Sequence, residues 1–179
     1  MDAFFAWEWR FLDGLQALHT PFWDAVMRFI TTLGNGGMVW VVTAVVLLFF
    51  KRWRPTGVIM LLSLLSGVLV GNLFLKNVVA RPRPCWLKPE MPLLIDLPSE
   101  YSFPSGHTLS SFAGATALAL RDRRAAPGAL VLAALIAFSR LYLYVHFPSD
   151  VLVGALLGAA LSCLWHFTLG KRLEKLLCK

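Results

Sequence analysis

Five apolar runs, at about 36–50, 57–75, 108–120, 126–145 and 149–169, decide what this chain can become. Crossing the hydrocarbon core of a bilayer takes roughly 20 residues of helix, with about 17 as the lower limit. Inside lipid every backbone polar group must be satisfied within its own segment, and continuous apolar runs answer that requirement as helices. The runs at 126–145 and 149–169 are long enough directly, and the run at 57–75 continues toward Ala80. The run at 36–50 borrows length from the preceding GNGG, and that at 108–120 reaches only if it starts at Ser105. With 58% hydrophobic and only 15% charged residues, the chain falls outside the range of soluble domains, which carry about a quarter charged residues. The expected fold is all-α: a polytopic membrane helix bundle of five transmembrane helices, or six if 21–33 also inserts.

The N-terminal part differs from the rest. Residues 3–19 mix aromatics and leucines with a few charges, and 21–33 repeat that pattern behind Pro21. Both are expected to be amphipathic helices lying at the interface, so that 1–33 forms an interfacial N-terminal segment and 34–179 the helical core. Asp2, Glu8, Arg10 and Asp13 interrupt the beginning, which does not read as a signal peptide, and this segment is expected to be retained. The basic clusters KRWR (51–54), RDRR (121–124) and KRLEK (171–175) fall on one side of a five-span chain, the cytoplasmic side by the positive-inside rule. The loop 81–103 and the link HFPS (146–149) then lie outside. Two GxxxG pairs, Gly67/Gly71 and Gly154/Gly158, read as close helix packing. The three cysteines, Cys85, Cys163 and Cys178, have neither disulfide-framework nor zinc spacing.

Ionisable groups at the edges of apolar spans are costly and point to function. They come in three groups: Lys76 with Arg81 and Arg83; Ser105-Gly106-His107; and Ser139-Arg140 with His146 and Asp150. On the five-span reading all three meet at the outer face. Lys76, Arg83 and Arg140, with Arg81 as a possible fourth cation, suit phosphate oxygens. Ser105 and Gly106 open a helix whose first N–H groups suit an anion. Asp150, four residues after His146, is placed to orient that imidazole and raise its basicity. His107 is left to protonate a leaving oxygen. These residues alone do not decide which histidine attacks, although the Asp150 pairing favours His146. Taken singly, each has an ordinary explanation, such as a snorkelling lysine or a helix cap, and their conjunction does not. His19 and His166 read as ordinary interfacial residues, and Tyr142 and Tyr144 as an aromatic belt. With no clustered carboxylates to hold Mg²⁺, a metal route is disfavoured, and no cofactor is expected.

Lys-x6-Arg-Pro (Lys76 to Arg83-Pro84), Pro-Ser-Gly-His (Pro104 to His107) and Ser-Arg-x5-His-x3-Asp (Ser139 to Asp150) together resemble the three-part signature of the type 2 phosphatidic acid phosphatase superfamily. The resemblance implies a membrane phosphatase that needs no metal. It makes His146 the nucleophile that becomes a phosphohistidine, with Asp150 orienting it and His107 the general acid. Lys76, Arg83, Ser105, Gly106 and Arg140 would bind the phosphoryl oxygens. The implied partner is a membrane lipid phosphate, not nucleic acid. Within that class an undecaprenyl pyrophosphate phosphatase fits best, with phosphatidylglycerophosphate or phosphatidic acid phosphatase as alternatives. A non-catalytic lipid-binding or anion-transporting protein is the rival of another class, but binding alone needs only the cations.

Overall fold

The structure, a computed structural model, describes residues 3–177; Asp2 and Cys178 lie outside the described residues. Among the described residues there are helices, turns and irregular segments and no strand. Helix α1 (Ala3–Gln16) is followed by α2 (Pro21–Leu33), which Thr20 caps by accepting the Trp23 N–H at 3.3 Å, with Pro21 supplying a preset φ in the first turn. The chain then turns through Gly36 and Gly37, whose φ of 59° and 69° glycine adopts without a Cβ clash. α3 (Met38–Leu48) leaves the turn, and the α2–α3 pair is bent by 46°. α4 (Arg54–Gly67) passes into a π-helical stretch, Val68–Leu75, and ends as α5 (Lys76–Val79), where Ala80 enters the left-handed region. A short α6 (Pro84–Leu87) and an irregular loop lead to α7 (Gly106–Arg121), α8 (Ala126–Tyr142) and α9 (Pro148–Leu177).

Two continuous stretches are long and apolar enough to cross a membrane, Lys51–Leu87 (37 residues) and Pro148–Leu177 (30 residues), and the bent α2–α3 pair adds a third only if its two helices count as one span. By this measure not all of the five or six expected spans are reached. α8 is apolar but has 17 residues, a rise of about 26 Å at 1.5 Å per residue. α7 is shorter still, with 16 residues, and sits in the middle of the bundle. It packs against α9, α8 and α4 and buries Thr108, Leu109, Ser111, Ala113, Gly114, Ala115 and Ala117. Shielded by its neighbours, it carries small and hydroxylated residues where a lipid-facing helix would carry leucines.

Close approach to α7 explains both GxxxG pairs. A Cβ at Gly158 would stand 2.2 Å from the Leu109 carbonyl oxygen, and one at Gly154 2.8 Å from that of Ser105. At Gly67 and Gly71 it would stand 2.2 and 2.5 Å from Leu109 side-chain carbons. The two pairs grip the same leucine from two helices, the use of small residues expected where helices must touch.

The basic clusters do meet at one end of the bundle. Arg121 donates to the Glu174 carboxylate at 2.6 Å and to the Arg52 carbonyl at 2.8 Å, bringing 51–54, 121–124 and 171–175 together. The histidine end of α7 lies 14 residues away from Arg121, about 21 Å along the axis.

Two expectations change. Tyr142 and Tyr144 form no exposed belt: both are buried, with hydroxyls donating to Asp24 (2.6 Å) and Asp13 (2.5 Å). Each tyrosine satisfies its polar tip on an N-terminal helix, as a buried hydroxyl requires. His19 stacks on Tyr142 at 4.2 Å, so it belongs to the same contact.

Candidate active site

Each of the three polar groups is delivered by a local stop in helix geometry. The π-helical stretch ends at Lys76, which is buried; such turns recur at functional sites. Ala80 and the prolines at 82 and 84 then redirect the chain and carry Arg83 back over the bundle. α7 begins at Gly106 with Ser105 as the flanking residue, and α8 stops just past Arg140, leaving Leu143–Phe147 as the link to α9.

A cavity of about 410 Å³ collects the result. Lys76, Arg83, Gly106, His107, Arg140 and His146 all line it, together with Asn72 and Glu100. The juxtaposition expected from sequence is therefore present for these six. Gly106 is there because nothing larger fits: a Cβ would stand 2.9 Å from the Asn72 side-chain oxygen. Two predicted residues lie behind the cavity wall. Asp150 and Ser105 are both fully buried. The Ser105 N–H donates to the Asp150 carbonyl at 3.1 Å, so the unclaimed first-turn N–H groups begin at Gly106.

The His146 imidazole is fixed on both nitrogens. Arg83 donates to Nε2 at 3.0 Å, while the same guanidinium donates to the Val145 and Glu100 carbonyls. Nδ1 stands 3.7 Å from Asp150 Oδ2, which is too long for a hydrogen bond. Ser102 fills the gap. Its hydroxyl donates to Asp150 Oδ2 at 2.5 Å and lies 3.3 Å from Nδ1. With its proton given to the carboxylate, Ser102 Oγ accepts from Nδ1–H, and the Nε2 lone pair is left facing Arg83 and the cavity. The Phe147 N–H also donates to Oδ2 at 2.8 Å. Burial holds the imidazole neutral, pushing its pKa down to about 3 against the opposing pull of Asp150.

His107 is held from the other side. Its Nε2 lies 2.9 Å from Asn35 Oδ1, an acceptor that places the proton on Nε2. Asn35 comes from the glycine turn, which presses on this histidine closely enough that a Cβ at Gly34 would stand 2.8 Å from its Cδ2. Arg140 donates to Thr31 at 2.5 Å, and its buried Nε has no hydrogen-bond partner among the described residues. His107 and Arg140 also line a second cavity of about 570 Å³, shared with Arg28, Thr31, Asn35 and Asp96.

The cations are not all idle. Lys76 donates to Glu100 at 2.6 Å, and this bond and charge hold the Glu100 carboxyl below the usual carboxylate range. Glu100 is 66% exposed at its side chain, so solvent screens this pair. Arg81, expected as a possible fourth phosphate cation, is absent from the lining of the 410 Å³ cavity. It donates to Asp150 Oδ1 at 2.6 Å and to Ser149 at 2.7 Å, so it serves the buried carboxylate. Sequence reading missed Ser102, Asn35 and Glu100. Ser102 stands three residues before Ser105 and Asn35 sits in a plain turn signal, and neither residue type announces a role by itself.

Comparison with known proteins places this architecture. The family described as the PAP2 superfamily matches residues 56–174, which includes every site residue inferred from sequence. An undecaprenyl-diphosphatase of Sulfolobus acidocaldarius is 34% identical over 142 residues, covering 79% of this chain and 68% of the relative. A lipid A 4'-phosphatase of Bacteroides thetaiotaomicron is 29% identical over 177 residues, 90% of this chain and 76% of the relative. The crystal structure of a transmembrane PAP2 type phosphatidylglycerolphosphate phosphatase from Bacillus subtilis superposes with a TM-score of 0.78 at 27% identity, covering 96% of this chain and 88% of that one.

Proposed function

This chain belongs to the PAP2 superfamily and is a membrane lipid phosphatase, and from that premise we propose that it releases phosphate from a polyprenyl diphosphate through a phosphohistidine on His146. The observation that carries this reading is the state of His146: Nδ1 is backed by Ser102 and Asp150, and Nε2, held by Arg83 until a phosphate oxygen takes over that guanidinium, borders a cavity lined by three cations and a second histidine. A binding site has no need of a backed imidazole; a nucleophile does.

In the reaction, Nε2 attacks the terminal phosphorus and a P–N bond forms as the bond to the bridging oxygen breaks. His107, entering as the imidazolium that the bound phosphate anions favour, gives a ring proton to that oxygen, which departs on the lipid phosphate, and is left neutral. Lys76, Arg83, Arg140 and the Gly106 N–H hold the charge on the non-bridging oxygens. A water then attacks phosphorus, His107 takes up its proton, and His146 is regenerated as inorganic phosphate leaves. Asp150, through Ser102, stabilises the positive ring while phosphorus is attached.

The undecaprenyl-diphosphatase relative favours a polyprenyl diphosphate. The coverage by the phosphatidylglycerolphosphate phosphatase structure favours a phospholipid phosphate as the second reading. The basic end formed by Arg52 and Arg121, assigned to the cytoplasm by the positive-inside rule, supports a site facing outward from a cell membrane. α1 and α2 then lie at the outer interface.

The test is phosphate release by the detergent-purified protein with EDTA present, from undecaprenyl diphosphate, phosphatidylglycerophosphate and phosphatidic acid. The diphosphate is expected to give the highest kcat/KM, and His146→Ala to abolish release from all three. Activity surviving in His146→Ala ends the nucleophile assignment, and a phospholipid winning the panel ends the diphosphate assignment.

A further inference from the structure

Glu8 is a charged residue in a helix expected to lie on the membrane surface, yet it is fully buried. One carboxylate oxygen accepts from Arg81 Nη2 at 2.5 Å, and the other accepts from the Ser149 N–H at 3.0 Å and the Ser149 hydroxyl at 2.6 Å. Through Nη1 the same Arg81 reaches Asp150 Oδ1 at 2.6 Å. Its guanidinium lies over the Phe147 ring at 4.0 Å. A continuous chain of polar contacts thus runs Glu8–Arg81–Asp150–Ser102–His146, joining α1 to the proposed nucleophile across 138 positions of sequence.

The charges explain why such a chain is useful. Asp150 has to stabilise a positive imidazole during the reaction. An arginine bonded to its other oxygen opposes that work, because in a buried site a neighbouring cation draws on the same negative charge. With Glu8 present, two carboxylates share one guanidinium, and this group of three keeps one net negative charge on the Nδ1 side of His146. We propose that Glu8 is a positioning residue for the reaction: it takes up the charge of Arg81, so that Asp150 is aligned by the arginine without being neutralised by it. α1 is on this account part of the active site's support and not an accessory to membrane attachment. The proposal rests on the assignment of His146 as nucleophile.

The alternative is that Glu8 merely docks α1, since it also caps the first turn of α9 through Ser149. Charge and docking predict different things. Glu8→Gln keeps the size and removes the charge, so kcat is expected to fall about 10- to 100-fold with KM within about threefold, the pattern of an interaction made in the transition state. Adding Arg81→Gln to Glu8→Gln brings the net charge back to one negative, and kcat is expected to recover to within about fivefold of the wild type. Asp13→Asn loosens α1 at its other anchor, where Asp13 accepts from Tyr144 and Lys88. It leaves the charge chain intact and is expected to leave kcat unchanged.

Rates are read on undecaprenyl diphosphate and phosphatidic acid in detergent, with a thermal melt of each variant. The proposal is overturned if the double variant is as slow as Glu8→Gln or slower, or if Asp13→Asn loses as much as Glu8→Gln. Should Glu8→Gln not be recovered folded, the double variant, which buries no uncompensated cation, decides alone against the wild type: near-normal kcat supports the charge account, and a 100-fold loss ends it. A wild-type kcat in Glu8→Gln, in an enzyme still silenced by His146→Ala, defeats this inference and leaves the proposed function standing.

Discussion

Replacing Ser102 by alanine removes a single oxygen from a fully buried position and, on the geometry of the site, most of the coupling between Asp150 and His146. That oxygen gives its proton to Asp150 Oδ2 at 2.5 Å and lies 3.3 Å from His146 Nδ1. Without it the nearest carboxylate oxygen is 3.7 Å from Nδ1, beyond hydrogen-bond reach. Asp150 keeps its bonds from Phe147 and Arg81, so the carboxylate stays in place and the fold has little reason to fail. The loss is therefore one hydrogen bond to a charged group, about 1.5–3 kcal/mol. Felt mainly in the step that makes the imidazole positive, this corresponds to a fall in kcat of about 10- to 150-fold at 1.36 kcal/mol per decade. Ser102 does not line the cavity, so KM is expected to stay within about twofold. The assay is the initial rate of phosphate release against lipid concentration, with a thermal melt to check folding. A water in the vacated space could rebuild the link, so Ser102→Val, which fills that space without a hydroxyl, is measured beside it. If both variants keep kcat within about threefold of the wild type, the Ser102 relay is wrong.

Glu100→Gln should bind substrate and product phosphate more tightly, because it removes the carboxylate that competes for Lys76. For a pair this exposed the gain is about 0.2–1 kcal/mol, or up to about fivefold in KM. The Glu100 pKa is lowered in the folded protein, so competition is complete at neutral pH and fades only as pH falls through that lowered value. The difference between variant and wild type should therefore close in acid and persist from pH 5 to 8 in a KM–pH series. Asn35→Ala leaves the His107 Nε2–H without its acceptor and should lower kcat by about tenfold on an alkyl phosphate. The loss should shrink on p-nitrophenyl phosphate, whose leaving group needs little proton donation. Equal losses on both substrates would remove Asn35 from the support of the acid.

Much of the candidate site was legible in the sequence because the residues proposed to touch phosphate are charged or polar types at the ends of apolar spans, where they stand out. Lys76, Arg83, Gly106, His107, Arg140 and His146 share one cavity, as the three motifs required. The supporting residues were not legible. Ser102, Asn35 and Glu8 hold the two histidines and Asp150, yet serine, asparagine and a lone glutamate are common in turns, caps and wet helix faces. Apolar length alone does not reach the five expected spans for a related reason: it locates helices that face lipid, whereas α7 faces other helices and so needs small residues more than greasy ones.

By itself the sequence determined that the chain is a membrane helix bundle with its candidate phosphate-binding residues gathered at one end, because hydropathy and charge are local properties that a run of residues carries wherever it goes. Burial of an individual polar group is not local. Glu8 reads as a water-facing charge until α1 packs on the link between α8 and α9 and sets it against Arg81 and Ser149. Arg81 likewise reads as a phosphate cation until Asp150 claims it. Only the tertiary structure decides which partner a charge finds, since the free energy of a buried ion depends on the few atoms within hydrogen-bond reach, and here those atoms come from opposite ends of the chain.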